Sequence, residues 1–149
     1  VVLSMILGIL ISSLETIFRI DLGKHAIDDF FQNYPLFLLF AAAVIAAPVL
    51  EELLFRGAMI CFKKKSYFPF IFYMLTLVFG FYHITNFEIT KTILLHSPIL
   101  VAPQLIVGSL LGFVRIKFGL IWAMAFHACY NFVLIGPLIL LKILKIPLE

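Results

Sequence analysis

Residues 35–62 read PLFLLFAAAVIAAPVLEELLFRGAMICF, and this stretch decides what kind of protein the chain encodes. It is apolar throughout except for Glu51, Glu52 and Arg56, and it stops at Lys63-Lys64-Lys65. A helix that crosses a bilayer needs about 20 apolar residues, so this run is long enough to span. Transmembrane strands alternate apolar and polar residues over about 10 positions, whereas this run is apolar on all sides. The expected element is a membrane helix with two carboxylates inside it.

The rest of the chain reads the same way. An apolar run from Val1 to about Phe18 is closed by Arg19. The polar stretch Asp21–Asn33 carries Lys24, His25, Asp28 and Asp29 beside Phe30 and Phe31, and predicts an interfacial connection with a short amphipathic helix. A third span is expected over about Tyr67–Thr85. Pro98 and Pro103 predict a kinked or restarted helix up to Phe113. The last span runs from Leu120 to about Leu144, with a bend expected at Gly136-Pro137. The fold class is therefore all-α, a transmembrane bundle of about five spans in one membrane domain, with a polar cavity at mid-bilayer. Residues 1–34 add a span and a connection to it.

Composition agrees. Of 149 residues 64% are hydrophobic and 13% are charged, against about 45–50% and 25% in soluble domains. A domain this small keeps much of its surface wet, so a water-soluble globule is excluded. The net charge of +3 sits in short loops between apolar runs, which fits anionic lipid heads as partner and not nucleic acid. Arg19, Lys24, Lys91, Lys142 and Lys145 on one side balance Lys63–Lys65, Arg115 and Lys117 on the other. The positive-inside rule thus gives a tie, and the compact triple-lysine loop is assigned to the cytoplasm. Cys61 and Cys129 lie in or beside apolar segments and predict no disulfide framework. The chain opens Val1-Val2-Leu3, as a fragment or processed form would, and its first run lacks a basic n-region and a small-residue cleavage site.

Ionisable groups inside spans are expensive, about 2.5–3.5 kcal/mol each at mid-bilayer, and so mark function. Glu15 is discounted, because Arg19 lies four residues on. His96, beside Ser97-Pro98, is read as a structural histidine, and Gln104 after Pro103 as a bond between helices. Two adjacent glutamates are harder to explain structurally. At about 100° per residue Glu52 and Arg56 share a helix face and can pair, while Glu51 lies about 140° from Arg56 and is left free. His127 and Asn131, also four apart, face one way and could present two N–H groups to a developing oxyanion. At about 1.5 Å rise per residue, Glu51 is about 18 Å from the lysine loop, His127 about 15 Å from Lys117, and His83 about 27 Å from Lys65. Three helices thus bring Glu51, His83 and His127 to similar depth.

At these residues the chain resembles the CPBP family of intramembrane proteases, the CAAX proteases and bacteriocin-processing enzymes also called Abi. The family pattern is E-E-x-x-x-R, then F-x-x-x-H, then H-x-x-x-N or H-x-x-x-D, on three helices. Here these are Glu51-Glu52-Leu53-Leu54-Phe55-Arg56, Phe79-Gly80-Phe81-Tyr82-His83 and His127-Ala128-Cys129-Tyr130-Asn131. The resemblance covers about Pro35 to Leu141. It implies proteolysis inside a bacterial plasma membrane. Glu51 would activate water, His83 would help to hold it, His127 and Asn131 would stabilise the oxyanion, and Glu52 and Arg56 would support Glu51. It implies no metal cofactor, and as partners membrane lipid and a peptide or protein substrate, with or without a prenyl group. Zinc held by Glu51, His83 and His127 is the alternative chemistry, although the chain has no H-E-x-x-H. A thiol nucleophile is disfavoured, because His127 lies about 200° from Cys129 on the same helix. A non-catalytic transporter or immunity scaffold is the alternative without chemistry.

Overall fold

The computed structural model describes residues 2–19, 22–23 and 25–144. Asp21, Lys24 and Lys145 lie outside these, as do the side chains of Glu15, Asp28 and Asp29. Every regular element among the described residues is helical. α1 spans Val2–Phe18 and α2 Ala26–Asn33. The apolar run 35–62 folds as α3 (Leu36–Phe40), a π-helical turn (Ala41–Ala46), α4 (Ala47–Arg56) and α5 (Met59–Phe62). α6 (Phe68–Tyr82) ends in a 3-10 turn (His83–Asn86). α7 (Lys91–Leu100), α8 (Ala102–Lys117) and α9 (Leu120–Ile143) complete the chain.

Local chemistry sets the boundaries. Pro69 opens α6 in the first turn, where a missing N–H costs nothing. Thr90 caps α7 by accepting the Ile93 N–H at 3.2 Å. α7 and α8 meet at Val101 with a 43° bend, and Pro103 in the first turn of α8 explains the restart. Gly119, at φ +107°, turns the chain from α8 into α9, a conformation that L side chains rarely adopt. α9 continues through Gly136-Pro137 as one helix, with Pro137 inside it.

α6 packs on α8, α4 on α9, and α8 on both α1 and α9. Close approach of α6 to α8 depends on Gly80, where a Cβ would stand 2.4 Å from Leu105 Cδ2. The exterior is apolar, with Phe37, Leu54, Leu95, Ile121 and Trp122 all exposed, which suits lipid and not water. Leu36–Phe62, Phe68–Asn86 and Leu120–Ile143 are long and apolar enough to cross a membrane, and α7 with α8 makes a fourth if the bent pair is one span. The fifth expected span corresponds to α1, in which Val2–Ser13 is a shorter apolar helix among the described residues. The chain is an integral membrane helical bundle.

Candidate active site

Consecutive glutamates on α4 point to different environments, as 100° per residue requires. Glu52 is fully buried and accepts from Arg56 Nη1 at 3.1 Å. The same oxygen, Oε1, lies 3.0 Å from His127 Nδ1. Arg56 is held from two further sides. Its Nη2 donates to the Gly108 carbonyl at 3.2 Å, and its guanidinium lies 3.8 Å from the centre of the Phe79 ring. A Cβ at Gly108 would come within 2.8 Å of Phe79 Cδ1, so only glycine leaves room for that stack. Two turns further along α8, Arg115 ties this helix to the end of α4 by donating to the Arg56 and Gly57 carbonyls.

Glu51 keeps 18% of its side chain exposed, and His83 keeps 17%. Glu51 Oε2 stands 3.9 Å from His83 Nε2 and 3.7 Å from His127 Nε2. These separations exceed a direct hydrogen bond, and Oε2 has no hydrogen-bond partner among the described residues. His83 Nδ1 faces the Phe79 carbonyl at 2.8 Å. A carbonyl only accepts, so Nδ1 carries a proton, and in the neutral ring Nε2 turns a lone pair toward Glu51. His127 Nδ1 likewise donates to the Glu52 carboxylate, and its Nε2 donates only when the ring is an imidazolium.

Glu51, His83, His127 and Asn131 line one cavity of about 510 Å³, with Gln104 beside them and an apolar wall that includes Leu39, Ala42, Val107 and Leu134. Asn131 also has a structural partner, since its Nδ2 donates to the Ala43 carbonyl at 2.8 Å. That places one of its two amide N–H groups on the backbone of the π-helical turn. His96 bonds the Thr92 carbonyl of its own helix and does not line the cavity. Cys61 and Cys129 are exposed free thiols, and Tyr82 packs on Phe55 instead of lining the cavity.

Three features had no signal in the sequence. Phe79, the first residue of the F-x-x-x-H pattern, makes contacts that no spacing foretells: it touches both imidazoles edgewise, at centroid distances of 4.7 Å to His83 and 5.9 Å to His127. Glu52 serves His127 as well as Arg56. His25 and Asn86 reach the cavity from connections between helices, where periodicity carries no information. Among the described residues no group of three His, Cys, Asp or Glu side chains is arranged to hold a metal ion.

Comparison with curated proteins and with solved structures gives no match. Residues 33–133, which contain α4, α6, α8, nearly all of the cavity's polar groups and the first half of α9, match the sequence model described as Type II CAAX prenyl endopeptidase Rce1-like. The chain therefore belongs to the Rce1-like family of CAAX proteases, peptide hydrolases that work in the membrane.

Proposed function

We propose that this protein is a glutamate-dependent intramembrane endopeptidase, with Glu51 as general base. One observation carries the reading: Glu51 Oε2 stands between His83 Nε2 and His127 Nε2, at 3.9 and 3.7 Å, at the wall of a cavity reached by three separate helices. A base may act through one bridging water when direct contacts are longer than a hydrogen bond. In this mechanism a water between Glu51 and His83 gives one proton to the Glu51 carboxylate. The hydroxide adds to the peptide carbonyl carbon, and the His83 Nε2 lone pair orients the remaining hydrogen.

The charge that develops on the carbonyl oxygen faces His127. Anchored through Nδ1 on Glu52, the imidazolium donates Nε2–H to that oxygen, and the Asn131 amide supplies its second N–H. Collapse of the tetrahedral species breaks the C–N bond, and the proton held by Glu51 passes to the departing amine. Glu52 and Arg56 position His127 without touching substrate. No metal enters these steps. The substrate class is a peptide or protein tail delivered from the membrane, prenylated or not, and the proposed setting is a bacterial plasma membrane.

The test is cleavage of a peptide library in lipid by wild type and by Glu51→Gln. Wild type should cut and Glu51→Gln should lose about a hundred- to ten-thousandfold in kcat, the range that one general base contributes. Full activity in Glu51→Gln would remove Glu51 from the reaction.

A further inference from the structure

Gln104 is a polar group of the cavity wall that the mechanism above leaves unused, as it does His25, Asn86 and Tyr130. It stands in the first turn of α8, next to Val107 and across from the end of α6. Its Oε1 is buried and has no hydrogen-bond partner among the described residues. An acceptor left unpaired in an apolar setting is a standing cost. Leucine or methionine would fill the same space on α8 without it.

A peptide drawn into a cavity at membrane depth has the complementary need. Its main-chain N–H and C=O groups lose water and must be satisfied by protein, because hydrocarbon offers nothing. Attack by water engages only the scissile carbonyl, so the neighbouring peptide groups need their own partners. The wall near them is largely apolar, as Leu39, Val107 and Leu134 show. A carboxamide carries an acceptor and two donors, which matches a peptide group and no particular side chain.

We infer that Gln104 is a substrate-positioning residue whose side-chain carbonyl accepts the main-chain N–H of a residue flanking the scissile bond. This rests on the protease reading and adds to it a contact that is independent of substrate side chains. It fixes the peptide's register, so that the carbonyl to be attacked arrives beside Glu51 and His127.

The experiment compares wild type with Gln104→Leu and the similarly sized Gln104→Met, in lipid nanodiscs. The probe is a quenched peptide ending in a prenylated Cys-aliphatic-aliphatic-X tail, together with esters in which one flanking N–H at a time is replaced by oxygen. Both variants should keep or raise the melting temperature. They should lose about 10–100-fold in kcat/KM, mostly through KM, as expected for one buried hydrogen bond to substrate. One ester should cost wild type that same factor and cost the variants nothing more. The inference is overturned if both variants stay within twofold of wild type, if every ester costs all three proteins equally, or if activity falls only in step with melting temperature. A wild type that binds the probe without cutting it overturns the protease reading alone, and the binding ratio of wild type to variants then decides for Gln104. A wild type that neither binds nor cuts overturns both.

Discussion

Glu52 illustrates how much one carboxylate oxygen can be asked to do. It neutralises a buried guanidinium and holds an imidazole that faces the cavity, at 3.1 and 3.0 Å. The Arg56 partnership was legible in the sequence, because four residues along a helix is a local rule. The His127 partnership was not, since it joins residues 75 apart and depends on how α4 packs on α9. Glu51→Gln should leave stability in detergent unchanged or raised, because it removes a buried charge without direct hydrogen bonds. Glu52→Gln should cost about 3 kcal/mol, as a buried arginine loses its counter-charge, and should also lower kcat by releasing His127. Arg56→Gln should cost a similar amount, and the double variant less than the sum of the two. Melting temperature and turnover across these four variants check the assignment. Additive losses at Glu52 and Arg56, or a collapse of stability in Glu51→Gln, would mean that the two glutamates have exchanged roles.

At the scale of one element, the segment Leu36–Phe62 departs from an ordinary helix where its composition is blandest. Through the π-helical turn the Ala47 N–H bonds the Ala42 carbonyl, five residues back. Continued by one residue, that register would pair the nitrogen of Pro48 with the Ala43 carbonyl, and proline has no hydrogen to give. Asn131 fills the gap from α9 at 2.8 Å. An alanine run gives no hint of this, because alanine suits any helical register. Pro48 was visible in the sequence, but its missing donor becomes informative only when the facing helix is in place. Asn131→Ala should therefore cost about 1–3 kcal/mol by stranding a half-buried carbonyl. In a Pro48→Ala background, with a backbone N–H restored, the same change should cost about 1 kcal/mol less. Equal costs in the two backgrounds, measured by thermal or denaturant unfolding, would dissociate Asn131 from the turn.

For the whole molecule, depth was the most readable quantity. Counting from the lysine loop and from Lys117 at about 1.5 Å per residue brought Glu51, His83 and His127 to similar depth, and all three line the cavity. The number of crossings was less readable, because a run such as residues 91–117 counts as one span or two helices according to a 43° bend at Val101. The proposed chemistry also makes a prediction about the molecule as a whole. Cleavage should persist in phenanthroline, and purified protein should carry less than one zinc per chain. Stoichiometric zinc whose removal stops cleavage and whose return restores it would instead assign Glu51, His83 and His127 as its ligands.

The π-helical turn also sets a phase. Twelve residues separate Leu39 from Glu51, and at 3.6 residues per turn an uninterrupted α-helix would leave them about a third of a revolution apart. Wider turns between Ala41 and Ala46 wind less per residue, and so Leu39, Ala42, Ala43, Ala47 and Glu51 all border one cavity. The span behaves like a screw with one slackened thread. Wound as an ordinary α-helix with every residue kept, the same span would retain its hydrophobicity and all three motifs, yet would aim the apolar approach and the carboxylate in different directions.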